Sequence, residues 1–274
     1  MKIKLILLLV MFSHISFAQS VSGNFSISPD PYHSKKLDQS QYIVGYKYTF
    51  LEKENDKNSS QTGFVELQVG KKYTKFTDYF KLKQDSILEV HSHYKSVTAK
   101  EINEMLPVRS RIKFNLDIIR GNGKVVYQGE IPSSTYEFET VIPKLSWKIS
   151  KDEKKIAGYK ARKATTSYGG RQWTAWFCED IPVQSGPYVF EGLPGLIIEL
   201  YDSKENFVFT LNSISQTSKE IYKNLPEKLT KTTKENFFRL EKTYHDNPDL
   251  FFSADFIETV GSHKLPYNPI EKIN

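Results

Sequence analysis

Between Tyr42 and Phe50 the chain alternates, with Tyr42, Val44, Tyr46, Tyr48 and Phe50 on one side and Ile43, Gly45, Lys47 and Thr49 on the other. A period of two marks a strand, and this strand has an aromatic face. Similar runs follow at Phe64 to Val69, Lys71 to Phe76, Ile112 to Ile119, Lys124 to Gln128, Thr135 to Val141 and Leu145 to Ile149. Four more cover Ile156 to Tyr168, Arg171 to Phe177, Leu196 to Tyr201 and Asn206 to Ile214. Gly121-Asn122-Gly123 and Tyr168-Gly169-Gly170-Arg171 read as tight hairpin turns. If Tyr168 faces Arg171, then Thr166 faces Trp173, Lys163 faces Trp176 and Ala161 faces Cys178. Helical signals are fewer. Tyr79 to Val90 reads either way, with Phe80, Ile87 and Leu88 on one helical stripe and Asp78 near its start. Thr98 and Glu101 form a capping box opening a helix over Val97 to Leu106, which Pro107 ends. Thr232 and Glu235 suggest a second box, opening a helix with Phe237, Phe238, Leu240 and Tyr244 that stops near Asn247-Pro248. The pattern predicts a mainly β protein: a large curved antiparallel sheet, or an open or partial barrel, with one to three short helices.

The ends of the chain read differently. Met1-Lys2-Ile3-Lys4, the apolar run from Ile6 to Phe12 and Ser16-Phe17-Ala18 spell a signal peptide over residues 1–18, cleaved near Ala18-Gln19. The expected location is therefore periplasmic or secreted. No Cys follows the cleavage site, so a lipoprotein anchor is not expected. Residues 19–40 are a polar, extended lead-in, 41–215 the antiparallel β domain, and 216–274 a Lys- and Glu-rich, helix-containing tail packed on the sheet, with an aromatic stretch at Leu250 to Phe256. The net charge is +6, from 38 basic and 32 acidic residues, two of the basic ones in the leader. That mild balance gives no argument for nucleic acid. One cysteine allows no internal disulfide, so packing must hold the fold.

The densest stretch is Arg171 to Leu200, with two of the three Trp, the only Cys and three of the 12 Pro. In Leu193-Pro194-Gly195-Leu196, proline suits φ near −65° and glycine a positive φ, the chemistry of a type II turn, and Gly192 precedes it. Leu196, Ile197, Ile198 and Leu200 continue as a strand buried on both sides.

The run Gly192 to Ile197 spells GLPGLI. With GYKARKATT (Gly158 to Thr166), GRQWTAWF (Gly170 to Phe177), DIP (Asp180 to Pro182) and GPYVFEGLPGLI (Gly186 to Ile197), it resembles the GLPGLI family of secreted Bacteroidota proteins. The resemblance is specific from about Trp147 to Ser215. It implies a compartment and a fold type, and it transfers no catalytic residue. In that family a Cys is common at the position of Ala161, where it would pair with the equivalent of Cys178; here that disulfide cannot form. Cys178 reads as a structural thiol, because a catalytic cysteine needs a thiolate-stabilising neighbour and the adjacent Glu179 and Asp180 are acidic.

His91 and His93, two apart, would point the same way from a strand, with Glu89 as a third ligand; the plainer reading is an exposed polar segment. His245 with Asp246 and Asp249 reads as a helix end, and Ser185-Gly186 as a turn. No serine-nucleophile elbow, zinc-protease helix motif or phosphate-binding loop occurs. Arg171, Trp173, Trp176, Tyr188, Phe190 and Glu191 form the most interesting cluster. With Trp176 exposed beside Lys163 and Arg171, it suits an aromatic or peptide ligand; otherwise the aromatics plug the core at a sheet corner. The expectation is a binding or accessory role at the cell envelope, for a peptide or apolar ligand or an outer-membrane transporter or receptor, with no cofactor and no membrane span. The alternative is a metal-binding protein or metal-dependent enzyme using His91 and His93.

Overall fold

The computed structural model describes residues 20–132, 134–252 and 263–272; the expected signal peptide lies outside them, as does the aromatic stretch beyond Phe252. One chain of strands follows the predicted hairpins: β1 (Ser34–Leu51), β2 (Ser60–Gly70), β3 (Tyr73–Asp78), β4 (Leu116–Gly121), β5 (Lys124–Ile131) and β6 (Ser134–Val141). A second comprises β7 (Lys148–Ile156), β8 (Tyr159–Tyr168), β9 (Arg171–Cys178), β10 (Leu196–Asp202) and β11 (Phe207–Ser215). The tail adds β12 (Glu220–Asn224) and β13 (Leu229–Lys231). All join one 13-stranded sheet in the order β13-β6-β5-β4-β3-β2-β1-β11-β10-β9-β8-β7, with β12 paired to β1 off this path. The sheet does not close into a barrel. Every pairing is antiparallel except β13 with β6.

Local chemistry explains the turns. Asn122-Gly123 (φ 51° and 75°) and Gly169-Gly170 (φ 57° and 71°) put two positive-φ residues in two-residue loops, as strand twist requires. The β8–β9 register is the predicted one: Tyr168 opposite Arg171, Thr166 opposite Trp173 and Lys163 opposite Trp176. The same register carries Ala161 to Cys178, both fully buried. Counting out from the turn, that pair is of the closely spaced, non-hydrogen-bonded kind. Ala161→Cys is therefore expected to form a disulfide with Cys178 under oxidising conditions and to add about 3 kcal/mol. Two free thiols by mass spectrometry would refute the register there.

Three helices accompany the sheet: α1 (Tyr79–Ser92), α2 (Ala99–Arg109) and α3 (Lys234–Asp246). The ambiguous Tyr79 segment is helical because the Asp78 carboxylate caps it, accepting from the Phe80 amide at 2.7 Å. The Thr98–Glu101 capping box is present. Pro107 does not end α2, which runs on to Arg109 with Ser110 N–H bonded to Leu106 O. The cap of α3 is Thr233 rather than Thr232, whose N–H is taken by Glu137 O at the sheet edge.

The two faces of the sheet differ. On one, Tyr46, Tyr48, Leu67, Phe76, Ile118, Tyr127, Phe138, Trp173, Phe207 and Phe209 form the core. Residues 179–195 cross this face. Phe190 lies 4.7 Å from Trp173 of β9, while Tyr188 lies 6.4 Å from Tyr127 of β5, a strand far from β9 in the order. One segment can touch both only if the sheet curls around it. The other face of β2 to β6 is buried but polar; α1 and β12 cover it.

Candidate functional site

The Arg171 to Leu200 stretch is placed by that curl. Trp173 and Tyr188 are 1% exposed and Phe190 is fully buried. Trp176, on the opposite face, is 8% exposed, with Lys154 Nζ 4.4 Å above its ring and Glu199 bonded to that lysine. Arg171 is buried, and its neighbours differ from those expected. It bonds Asp202 at 3.3 Å, the Asn268 side chain at 2.6 Å and the carbonyls of Pro269 and Ile270. Glu191 is half-buried and meets Arg120 at 3.0 Å; Arg120 also donates to Ser185 Oγ at 2.6 Å. None of the four aromatic residues of the expected cluster, Trp173, Trp176, Tyr188 and Phe190, thus presents an open surface. Cys178 is buried, in keeping with a packing role.

The turn at Leu193-Pro194-Gly195-Leu196 is not type II. Gly195 N–H bonds to Leu193 O at 2.8 Å, which closes a three-residue turn centred on Pro194. Gly195 has φ 152°, and Leu196 already pairs with Cys178 in the sheet. Proline still supplies the fixed φ. Glycine is required for a different reason: a Cβ at Gly195 would lie 2.0 Å from the Cys178 carbonyl oxygen.

The histidine pair is also placed differently. His91 lies in the last turn of α1 and His93 is its C-cap, so two residues apart on a helix they diverge. His91 is buried with Nε2 3.6 Å from Glu104, while His93 and Glu89 are exposed. Among the described residues no group of three or more His, Cys, Asp or Glu side chains is placed to hold a metal ion.

The tail completes the core. Residues 268–272 run beside the Gly169-Gly170 turn, where Lys272 N–H bonds Gly169 O. Glu271 is buried, accepts from Tyr188 Oη at 2.5 Å and pairs with Lys234. On α3, burial pushes the Glu241 carboxyl up to about 7, against the lowering effect of its bond from Tyr267 Oη. A raised carboxyl favours folding while protonated, so this contribution is present below the ordinary value of 4.5 and lost as pH rises through about 7. Glu241→Gln should leave stability at pH 4 unchanged and raise it at pH 8 by about 2 kcal/mol, discounted for partial exposure; denaturant midpoints at the two pH values test this.

Two surface grooves meet at Asp180. The larger, about 380 Å³, is lined by Lys151, Glu153, Lys160, Arg162, Phe177, Glu179 and Asp180. Its interior charges are paired, Lys160 with Glu153 at 2.9 Å and Arg162 with Glu179 at 2.7 Å, while Lys151 at one end and Asp180 at the other are exposed and form no ion pair among the described residues. The smaller, about 220 Å³, is lined by Tyr42, Ile181, Pro182, Ile214, Ser215 and Gln216 beside Asp180.

The sequence reading passed over a third feature, a buried polar row across five strands. Glu66 stands opposite Thr77, Thr77 Oγ1 donates to Asp117 at 2.5 Å, Asp117 stands opposite Gln128, and Gln128 opposite Glu137. Beside it, Gln68 stands opposite Lys75. Burial would raise the Asp117 carboxyl, but Lys75 at 3.5 Å and Lys81 at 3.4 Å hold it down at about 2. The available signal was period-two alternation of polar residues: Glu66 and Gln68, Lys75 and Thr77, then Asp117, Gln128 and Glu137.

Comparison with known proteins adds a short match and a distant one. A family model described as a protein of unknown function (Porph_ging) matches residues 168–199. No curated protein matches the chain. Two solved structures, titled "Structure of PNGF-II in P21 space group" and "Structure of PNGF-II in C2 space group", are similar at 15% identity and a TM-score of 0.46. They cover 74% of this chain, which spans 33% and 32% of theirs, about a third of their length.

Proposed function

We propose that this chain is an exported cell-envelope protein of GLPGLI type with a binding or accessory role, and that the Asp180 corner is the face it offers to a peptide segment of an outer-membrane partner. The signal-peptide pattern of residues 1–18 supports export, and the GLPGLI run supports the type. One observation carries the binding face. A trough with paired charges inside, an exposed cation at one end and an exposed carboxylate at the other leads into a smaller, largely uncharged groove. An extended peptide has that complement: charged side chains for the first groove and an apolar one for the second. The test is affinity purification of the tagged full-length protein from its native envelope, with Asp180→Arg alongside and metal analysis of the same samples. A single envelope protein recovered with the wild type and lost with Asp180→Arg supports the reading. Equal recovery by both overturns the assigned face. A clean monomer carrying stoichiometric zinc or copper overturns the accessory role in favour of a metal-binding one.

A further inference from the structure

Helix α1 carries an inference independent of the Asp180 corner, because its faces are reversed. A helix that packs on a sheet ordinarily buries an apolar stripe and turns its polar residues to solvent. The buried residues of α1 are instead Lys81, Asp85 and His91. Lys81 lies 3.4 Å from Asp117, Asp85 accepts from Tyr222 Oη and Asn224 Nδ2 at 2.9 and 3.0 Å, and His91 faces Glu104 of α2 at 3.6 Å. The outward side is the apolar one. At about 100° per residue, Tyr79, Lys83, Ile87 and Val90 fall within about 80° of the helix circumference, opposite Lys81 and Asp85. Tyr79 and Val90 are 38% and 52% exposed. Tyr94, just past the C-cap, continues from the end of this stripe, its N–H bonded to His91 O and its side chain 44% exposed. At the start of α1, Val65 of β2 pairs with Asp78, which sets the exposed Phe64 beside Tyr79. Four of the eight large hydrophobic side chains exposed among the described residues thus lie along one helix. Clustered exposure of this kind, unlike scattered single residues, marks an interaction surface.

Cations rim the stripe. Lys83 Nζ lies 4.8 Å from the centre of the Tyr79 ring, and the Arg111 guanidinium 4.9 Å from that of Phe80. Lys47 stands opposite Phe64 on β1. All three cations are exposed and form no ion pair among the described residues. Asp78, the carboxylate at this end, is buried and accepts from the backbone N–H groups of Phe80, Lys113 and Phe114. His93 and Lys95 are exposed at the far end. Of the exposed carboxylates nearby, Glu89 stands to the side of the stripe and Glu104 faces His91. The outer surface of a helix is convex, so it fits a broad surface better than a small molecule. A second copy of this chain would bring basic ends against basic ends. An anionic lipid surface meets both features, with headgroup phosphates for the cations and a hydrocarbon margin for Val90 and the rings. Tyrosine suits that boundary, because its ring is apolar and its hydroxyl stays in the polar layer.

We propose that the outer face of α1 docks flat on an anionic lipid surface, with Tyr79, Val90 and Tyr94 at the headgroup boundary and Lys47, Lys83 and Arg111 against the phosphates. Each such cation contributes about fivefold in affinity, and added salt screens it. The reversed helix fits this role. Its polar underside fixes it to the sheet through Lys81 and Asp85, which leaves the apolar positions for the bilayer.

The test uses the protein purified from its native envelope, so that any leader removed on export is absent from every sample. Flotation is measured with vesicles of equal parts phosphatidylcholine and phosphatidylglycerol, and with vesicles of phosphatidylcholine alone. The expected result is binding to the mixed vesicles that is at least ~10-fold weaker to phosphatidylcholine alone and is lost at ~1 M salt. Lys83→Glu with Arg111→Glu should weaken it at least ~10-fold, and Tyr79→Ser with Val90→Ser at least ~5-fold. Lys144→Glu with Lys148→Glu makes the same change of net charge at exposed positions by the β7 edge and should alter binding less than ~2-fold. A wild type that does not float with the mixed vesicles overturns the proposal. So does an equal loss in the two charge variants, which would reduce the effect to net charge, or full binding by the Tyr79 and Val90 variant. Self-association of the wild type that this last variant abolishes would assign the face to a second copy and also overturn it. If the variants do not fold, amide exchange of Tyr79–Ser92 in the wild type decides: slowing by the mixed vesicles supports the surface, and unchanged exchange overturns it.

Discussion

Gly195→Val is expected to destabilise the protein by at least ~4 kcal/mol. The cause is a backbone collision rather than the left-handed φ alone. A Cβ at this position meets the Cys178 carbonyl oxygen at 2.0 Å, its carbon at 2.6 Å and Glu179 Cα at 2.9 Å. These are main-chain atoms at the end of β9, so no rotamer change relieves the contact. Leu196 and Cys178 are paired, and the strands must part or the Pro194 turn must open. Gly192 is the internal control. It has φ 89° but open space around its missing side chain, so Gly192→Ala should cost only about 1–2 kcal/mol. Denaturant midpoints for the two variants separate the causes; equal losses would point to φ, and an unshifted Gly195→Val would refute the close approach.

Arg171→Met carries the second large expected effect, about 3–5 kcal/mol. The guanidinium makes four hydrogen bonds, to Asp202, Asn268 and the carbonyls of Pro269 and Ile270, and lies 4.8 Å above the Phe207 ring. Methionine keeps much of the volume and none of the donors. Asp202 retains its bonds from Asn206 Nδ2 and Phe207 N–H but loses its cation. The carbonyls of Pro269 and Ile270 lose this donor, and residues 268–270 lose their bonds to the start of β9, leaving the Lys272–Gly169 backbone bond to hold the segment. Loss of stability should come with faster tryptic cleavage at Lys264 or Lys272. Wild-type cleavage and an unchanged midpoint would show that the segment is held by other contacts.

What was legible in the sequence follows the range of the forces involved. The hairpins of Asn122-Gly123 and Gly169-Gly170 were readable because two adjacent residues dictate them. The strand of Tyr42 to Phe50 was readable because its alternation repeats over nine residues, and the β8–β9 register followed from the turn alone. Helix α1 was ambiguous because its buried stripe is charged, so hydrophobic periodicity had little to report. The cluster at Arg171 was noticed, but its partners Asn268 to Ile270 lie about 100 residues away, and no local pattern announces them. The divergence of His91 and His93 turned on the same ambiguity: as a strand the pair would converge, as a helix end it cannot. The polar row from Glu66 to Glu137 was written in plain alternation. It was missed because alternating polar positions are ordinarily read as a solvent face, and burial of that face depends on β12 and α1 packing over it.

The position of β1 has a consequence for how the molecule is assembled in time. It is flanked by β2, which is made immediately after it, and by β11 and β12, which are made more than 150 residues later. Until Phe207 to Asn224 have emerged, one side of the central strand has no partner. The Glu271 carboxylate reaches Tyr188 later still. The growing chain therefore cannot close its core early, and such long-range pairing makes folding slow. If the chain is exported as proposed, late closure would be an advantage: a chain whose central strand still lacks a partner remains unfolded and passable.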